Sequence, residues 1–104
     1  MTKIKKYVED IAEELDSAKA YMETALEYKA MGTTGTSPAR YTRYKEMSAQ
    51  ELAHAQTLHE YAVQDIEQLK IVYPEIPQEM LDKWNKAHVE YVEKAAWIKQ
   101  MQAM

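Results

Sequence analysis

A chain of 104 residues has the length of one domain, and 29% charged with 46% hydrophobic residues suits a packed protein better than a disordered one. Thirteen Lys plus Arg against seventeen Asp plus Glu leave a net charge of −4, which offers no basic footprint for nucleic acid. Cysteine is absent, so disulfides, thiolate metal sites and a Cys nucleophile are excluded.

The longest unbroken apolar run is Ala95 to Ile98. A membrane-spanning helix needs roughly 20 such residues, so no membrane partner is expected. The stretch Met1 to Asp10 mixes Lys with Glu and has no apolar signal-peptide core, so the expected compartment is the cytoplasm. No phosphate-binding glycine loop, nucleotide motif or nucleophile triad is present, which leaves hydrolase and kinase readings without support.

In chain order, a first helix is predicted over residues 3–31. Ile4, Val8, Ile11, Leu15, Ala18, Met22 and Ala25 alternate in steps of three and four, a seam of 3.5-residue period. A neighbouring seam runs Tyr7, Ile11, Glu14, Ala18, Tyr21, Ala25, Tyr28. The segment Gly32-Thr33-Thr34-Gly35-Thr36-Ser37-Pro38 then gathers turn formers, with Ser37 expected as N-cap and Pro38 at the first helical position.

A second helix is predicted over residues 38–72. One of its seams holds Ser48, Leu52, Ala55, His59, Ala62, Ile66 and Leu69; the other reads Tyr44, Met47, Glu51, His54, Leu58, Tyr61, Asp65. Two prolines in Tyr73-Pro74-Glu75-Ile76-Pro77 exclude a continuous helix there. The third helix, over residues 78–102, lines up Leu81, Trp84, His88, Tyr91, Ala95 and Ile98.

Two adjacent seams make a stripe wide enough to touch more than one neighbour, as in a bundle. The expected fold is therefore all-α, one domain over residues 1–104: an antiparallel hairpin plus a third long helix. Rods of about 40 Å enclose a thin core when only three are present, so at least a homodimer is expected, completing a four-helix arrangement.

Glu14, Glu51 and His54 stand where the seams call for apolar side chains. A carboxylate there is costly unless it is paired, protonated or bound to a cation. Glu51 and His54 are separated by three positions and share one helix face. Height along the bundle adds an independent argument. Glu14 lies 17 residues before Met31, about 26 Å along the axis; His54 lies 16 residues after Pro38, about 24 Å, and Glu51 about 20 Å. In an antiparallel hairpin the three come to similar levels.

Glu14 with Tyr21 seven residues on, followed by Glu51-Leu52-Ala53-His54, resembles the metal-binding helix pair of the ferritin-like superfamily. The pattern is similar to rubrerythrin-type domains and especially to encapsulated ferritins, whose short chains hold half a bundle. The resemblance covers roughly residues 4–70. It implies that Glu14, Glu51 and His54 ligate iron, that Tyr21 is a catalytic residue beside the centre, hydrogen-bonding a ligand or donating an electron, and that two chains build one di-iron site. The run Ile98-Lys99-Gln100-Met101-Gln102-Ala103-Met104 does not look like a shell-targeting tail, so the C-terminus gives no support for a nanocompartment shell as partner.

Carboxylate plus imidazole ligation suits iron or manganese, with zinc also accommodated. The expected function is that of a di-iron carboxylate protein oxidising iron at a site shared between chains. Two alternatives are a metal-free helical assembly protein and a non-redox manganese or zinc binder. Tyr7, Tyr28, Tyr44 and Tyr61 are read as seam residues with their hydroxyls at the edge. His88 belongs to an aromatic core seam, Glu93 stands nearer in height to His54, and neither is assigned to the site. His59 and Glu60 are read as surface neighbours, and the methionines as gap-fillers.

Overall fold

The computed structural model describes residues 2–73 and 75–104. Three helices carry nearly all of it: α1 (Thr2–Ala30), α2 (Ser37–Val72) and α3 (Gln78–Gln102). Each end agrees with the sequence reading to within one residue. Pro74, one of the two prolines that mark the second break, lies outside the described residues. No helix among the described residues is long and apolar enough to cross a membrane.

The first break follows from backbone chemistry. Gly32 takes φ +80° and Gly35 φ +60°, conformations that suit glycine, and the Gly32 amide donates to the Lys29 carbonyl at 3.1 Å to close the helix end. The expected cap is displaced by one residue. Thr36 holds the cap position without a side-chain capping bond, and Ser37 is already helical. The Arg40 amide donates to the Thr36 carbonyl at 3.0 Å, so the first turn starts one residue earlier than the Ser-Pro pair suggests. The buried Ser37 hydroxyl points instead across the turn, 3.7 Å from Met31 Sδ.

Cross-helix pairs fix the directions. Tyr7 bonds Asp65, Ala18 bonds Ser48 and Tyr28 meets Arg40, so α1 and α2 run antiparallel. Lys94 reaches Asp16 and Lys29 reaches the Met104 carbonyl, so α3 runs parallel to α1. His59 meets His88 and Ser48 meets Gln102, so α3 is antiparallel to α2.

The core is the first seam of each helix. Ile4, Ile11, Leu15 and Ala18 of α1 pack against Leu52, Ala55, Ala62 and Ile66 of α2, closed by Trp84, Ala95 and Ile98 of α3. Full burial of each Ile or Leu contributes about 1.5–3 kcal/mol. Ala18, Ala25, Ala55 and Ala62 are fully buried, and their small side chains let the two long helices approach closely. Ile76 tucks the α2–α3 link onto the same cluster. The result is a rod of 59 × 19 × 16 Å, as thin as three long helices imply.

Ser48 ties all three helices at one level. Its buried hydroxyl donates to the Ala18 carbonyl at 2.7 Å and accepts from Gln102 Nε2 at 3.2 Å. A polar atom in the dry seam is tolerated because both of its roles are filled.

The position of α3 leaves the hairpin with two unlike faces. On one face α3 lies over Val8, Ile11, Ala12 and Leu15 of α1 and over His59 of α2. A turn of about 100° per residue carries Glu14, Tyr21 and Tyr28 away from that contact, and likewise Glu51, His54 and Tyr61 on α2. The second seam of the hairpin therefore looks out on the side that α3 does not cover.

Candidate metal centre

Glu14 sits mid-way along α1 between the buried Ile11 and Leu15, and Glu51 beside the buried Leu52 on α2. The core residues hold both backbones close, so both carboxylates are half-buried at the edge of the apolar seam. Their side chains are 30% and 27% exposed, against 62% for His54. His54 Nδ1 lies 3.6 Å from Glu14 Oε2 and 3.9 Å from Glu51 Oε2. One ligand atom from each of the three falls within 4.8 Å of the others, which is close enough for all to reach one cation. Three residues from two helices are thus brought together as their heights along an antiparallel hairpin require.

Glu14 Oε2 is the informative atom: it is shut off from solvent and makes no hydrogen bond. Its pKa is pushed up. A hydrogen bond with Glu51 can form only when one of the acids keeps a proton, and this contributes most; burial and repulsion from the Glu51 charge add to it, and His54 works the other way. A buried carboxylate oxygen with an acidic neighbour and no donor is what a cation would relieve. The donor set, two carboxylates and one imidazole, also fits iron, manganese or zinc. On both grounds the residues present fit a bound metal ion.

Tyr21 lies seven residues from Glu14, two turns or about 10 Å nearer the hairpin loop. Its half-buried ring packs on Tyr44 at 6.2 Å, and Tyr44 in turn stacks on Tyr28 at 5.7 Å with planes 15° apart. Arg40 caps this series over the Tyr28 ring. In the other direction, a 280 Å³ groove lined by Tyr7, Leu58 and Tyr61 with Lys3, Lys6 and Asp10 runs along the same open face. The tyrosines stand at the seam edge as their amphipathic character predicts. Asp65, the last polar residue of that seam, is held by the Tyr7 hydroxyl and by Lys3 at 3.0 Å.

Glu93 is exposed and lines a pocket with Lys19, Lys94 and Trp97 between α1 and α3, on the covered side of the hairpin. The structure corrects the reading of His59. This residue is half-buried, stacked on Tyr91 and bonded to His88 across the α2–α3 seam. Its place in the first seam of α2, four residues after Ala55 and three before Ala62, was the available signal. Neither a protein-family model, nor a curated protein, nor a solved structure matches this chain.

Proposed function

We propose that this chain is a ferritin-like di-metal carboxylate protein in which two copies meet over the open hairpin face, complete a four-helix core and oxidise ferrous iron. The observation that carries the reading is the orphaned, buried Glu14 Oε2 beside Glu51 and His54. One chain offers two carboxylates and one imidazole, too few for two ions. A two-fold pair offers four carboxylates and two imidazoles, and four negative charges offset two divalent cations. The uncovered face supports the pairing, because the ligand-bearing seam is the one that α3 leaves free for a second copy.

Within this reading Glu14, Glu51 and His54 hold the metal. Iron held there would supply electrons to dioxygen or peroxide. Glu14 and Glu51 orient their oxygens toward the shared position, and the Leu52 and Leu15 side chains beside them keep water from the buried side. Tyr21 serves the centre from the loop side as a hydrogen-bond donor, held in place by Tyr44.

Anaerobic Fe²⁺ titration followed by air, with elemental analysis and the mass in solution, tests the proposal. About one iron per chain, a paired species and an oxidation-linked absorbance are expected, all lost in Glu51→Ala with helicity unchanged. Metal uptake without that absorbance would favour the manganese or zinc binder, and no uptake at all would sink both.

A further inference from the structure

We propose that His59 and His88 form a proton-sensitive latch that clasps α3 onto α2, on the opposite face of the hairpin from the metal ligands. His59 Nε2 and His88 Nδ1 are 2.8 Å apart. The ring centroids are 5.0 Å apart with planes 22° from parallel. That separation is close to the nitrogen–nitrogen distance plus two ring radii, so the rings meet edge to edge through a nearly straight hydrogen bond. The face of His59 is meanwhile covered by Tyr91, at 4.0 Å and 10° from parallel, with Trp84 at 5.6 Å. His59 is thus clamped by three residues of α3 spaced along one face.

The bond has a strict proton requirement. One ring must donate and the other accept, which a neutral pair or a pair sharing one charge satisfies. A second proton turns both facing nitrogens into donors and places two like charges in contact. The bond then becomes a repulsion. A metal ion is a poor substitute for the proton, since a tetrahedral ion takes its two nitrogens at about 109° whereas these rings face each other head-on across 2.8 Å.

The surroundings favour the neutral state of His59. Burial and the adjacent His88 hold its pKa below the ordinary 6.5, and Glu60 on its own helix partly offsets them. Tyr91, the third ionisable group in the stack, is itself raised by burial and Glu60, so its phenol stays neutral. On the α1 side of α3, Val8, Ile11, Ala12 and Leu15 face Ala87, Glu90 and Lys94, a pair of opposite charges on an apolar wall. With the folded-state value depressed, the stabilisation from this pair is complete above pH 6.5 and is withdrawn as the pH falls below it. Gln102 on Ser48 ties the far end of α3, so the first half of α3 is the part that loosens from α2.

Hydrogen exchange on the full chain between about pH 7.5 and about pH 5, corrected for intrinsic rates, reads this directly. Amides around residues 83–91 should open roughly ten-fold more often at the acid end, while those of mid-α1 hold. His88→Asn should flatten that difference. Equal behaviour of α1 and α3, or an undiminished acid response in His88→Asn, would overturn the latch. If that variant does not fold, the titration of the three histidines in the wild-type chain by NMR decides: two coupled curves, one displaced to acid pH, support it, and three independent curves at the ordinary value refute it. Protection of residues 83–91 by added Zn²⁺ at neutral pH that persists in Glu51→Ala and is lost in His88→Asn would equally overturn it in favour of a metal site between the two rings.

Discussion

Glu14 Oε2 lies 3.6 Å from His54 Nδ1, yet that oxygen is closed to solvent and has no hydrogen bond, while His54 itself is largely exposed. The metal-free chain therefore carries an unrelieved carboxylate at mid-bundle. Glu14→Gln removes the charge, keeps the volume and supplies an amide donor to Glu51. Because an unsatisfied buried polar group costs on the order of 1–3 kcal/mol and Glu14 is only partly buried, a gain of about 1 kcal/mol in metal-free stability is expected. Fe²⁺ or Mn²⁺ should stabilise the wild type, and this variant should lose that effect. Urea denaturation with and without metal measures both. A metal-free chain weakened by the substitution would mean that the carboxylate is already satisfied.

Asp65 and Tyr7 give the hairpin a signature at both ends of the pH scale. The Tyr7 hydroxyl and then the Lys3 ammonium hold the Asp65 carboxyl below its ordinary 3.8. That contribution is present above the ordinary value and is lost as the pH falls through the depressed one. Tyr7 is pushed up to about 12, first by the same hydrogen bond and then by burial. Its contribution is whole below its ordinary 10.0 and fades as the pH rises from there toward about 12. Thermal unfolding of Asp65→Asn beside the wild type should show a shallower fall at both extremes. A parallel pair of curves at alkaline pH would show that the Tyr7 bond adds nothing.

The architecture was open to sequence reasoning because its signals are local. Gly32 to Pro38 and the prolines after Tyr73 cut the chain into rods, and the three-and-four spacing of Ile4 to Ala25 selects the buried face. The convergence of Glu14 with Glu51 and His54 followed from counting turns back from one loop, since an antiparallel hairpin converts sequence separation into height. Two things were not legible. The start of α2 depends on whether the Thr36 carbonyl or the Ser37 hydroxyl engages first, a difference of one residue that composition does not encode. The partner of His59 depends on the rotation of α3 about its own axis, which is set by Trp84 and Ile98 fitting the hairpin rather than by any property of residues 59 or 60.

The fully buried alanines of the α1–α2 contact set the spacing on which the proposed ligand group of Glu14, Glu51 and His54 depends. Ala55 lies one residue beyond His54 and is wholly buried against α1. Ala55→Leu inserts three heavy atoms where the helices touch, an overpacking that costs typically about 1–3 kcal/mol. Because the inserted bulk separates the helices at the level of Glu14 and His54, metal affinity should fall with stability. Ala53→Leu, on the exposed face of the same turn, is the control and should change neither. Calorimetric metal titration of the two variants distinguishes a rigid spacing from a face that readjusts.

Ser48 provides the last test, because one hydroxyl serves three helices. Ser48→Ala deletes the donor to the Ala18 carbonyl and the acceptor for Gln102 with almost no change in volume. The Ala18 carbonyl keeps its own helical bond, and the half-buried Gln102 amide can turn to water, so neither partner is left stranded. The loss should therefore be that of one net hydrogen bond, about 1 kcal/mol, rather than the larger cost of an orphaned group. Gln102→Ala removes only the second, longer and wetter bond and should cost about half as much or less. The double variant then reports the coupling: if Ser48 holds α3 through Gln102, the two losses add to more than the loss in the pair. Urea denaturation of the four proteins completes the cycle. Strict additivity would show that α3 is seated by Trp84 and Ile98 alone, with the hydroxyl serving only the hairpin.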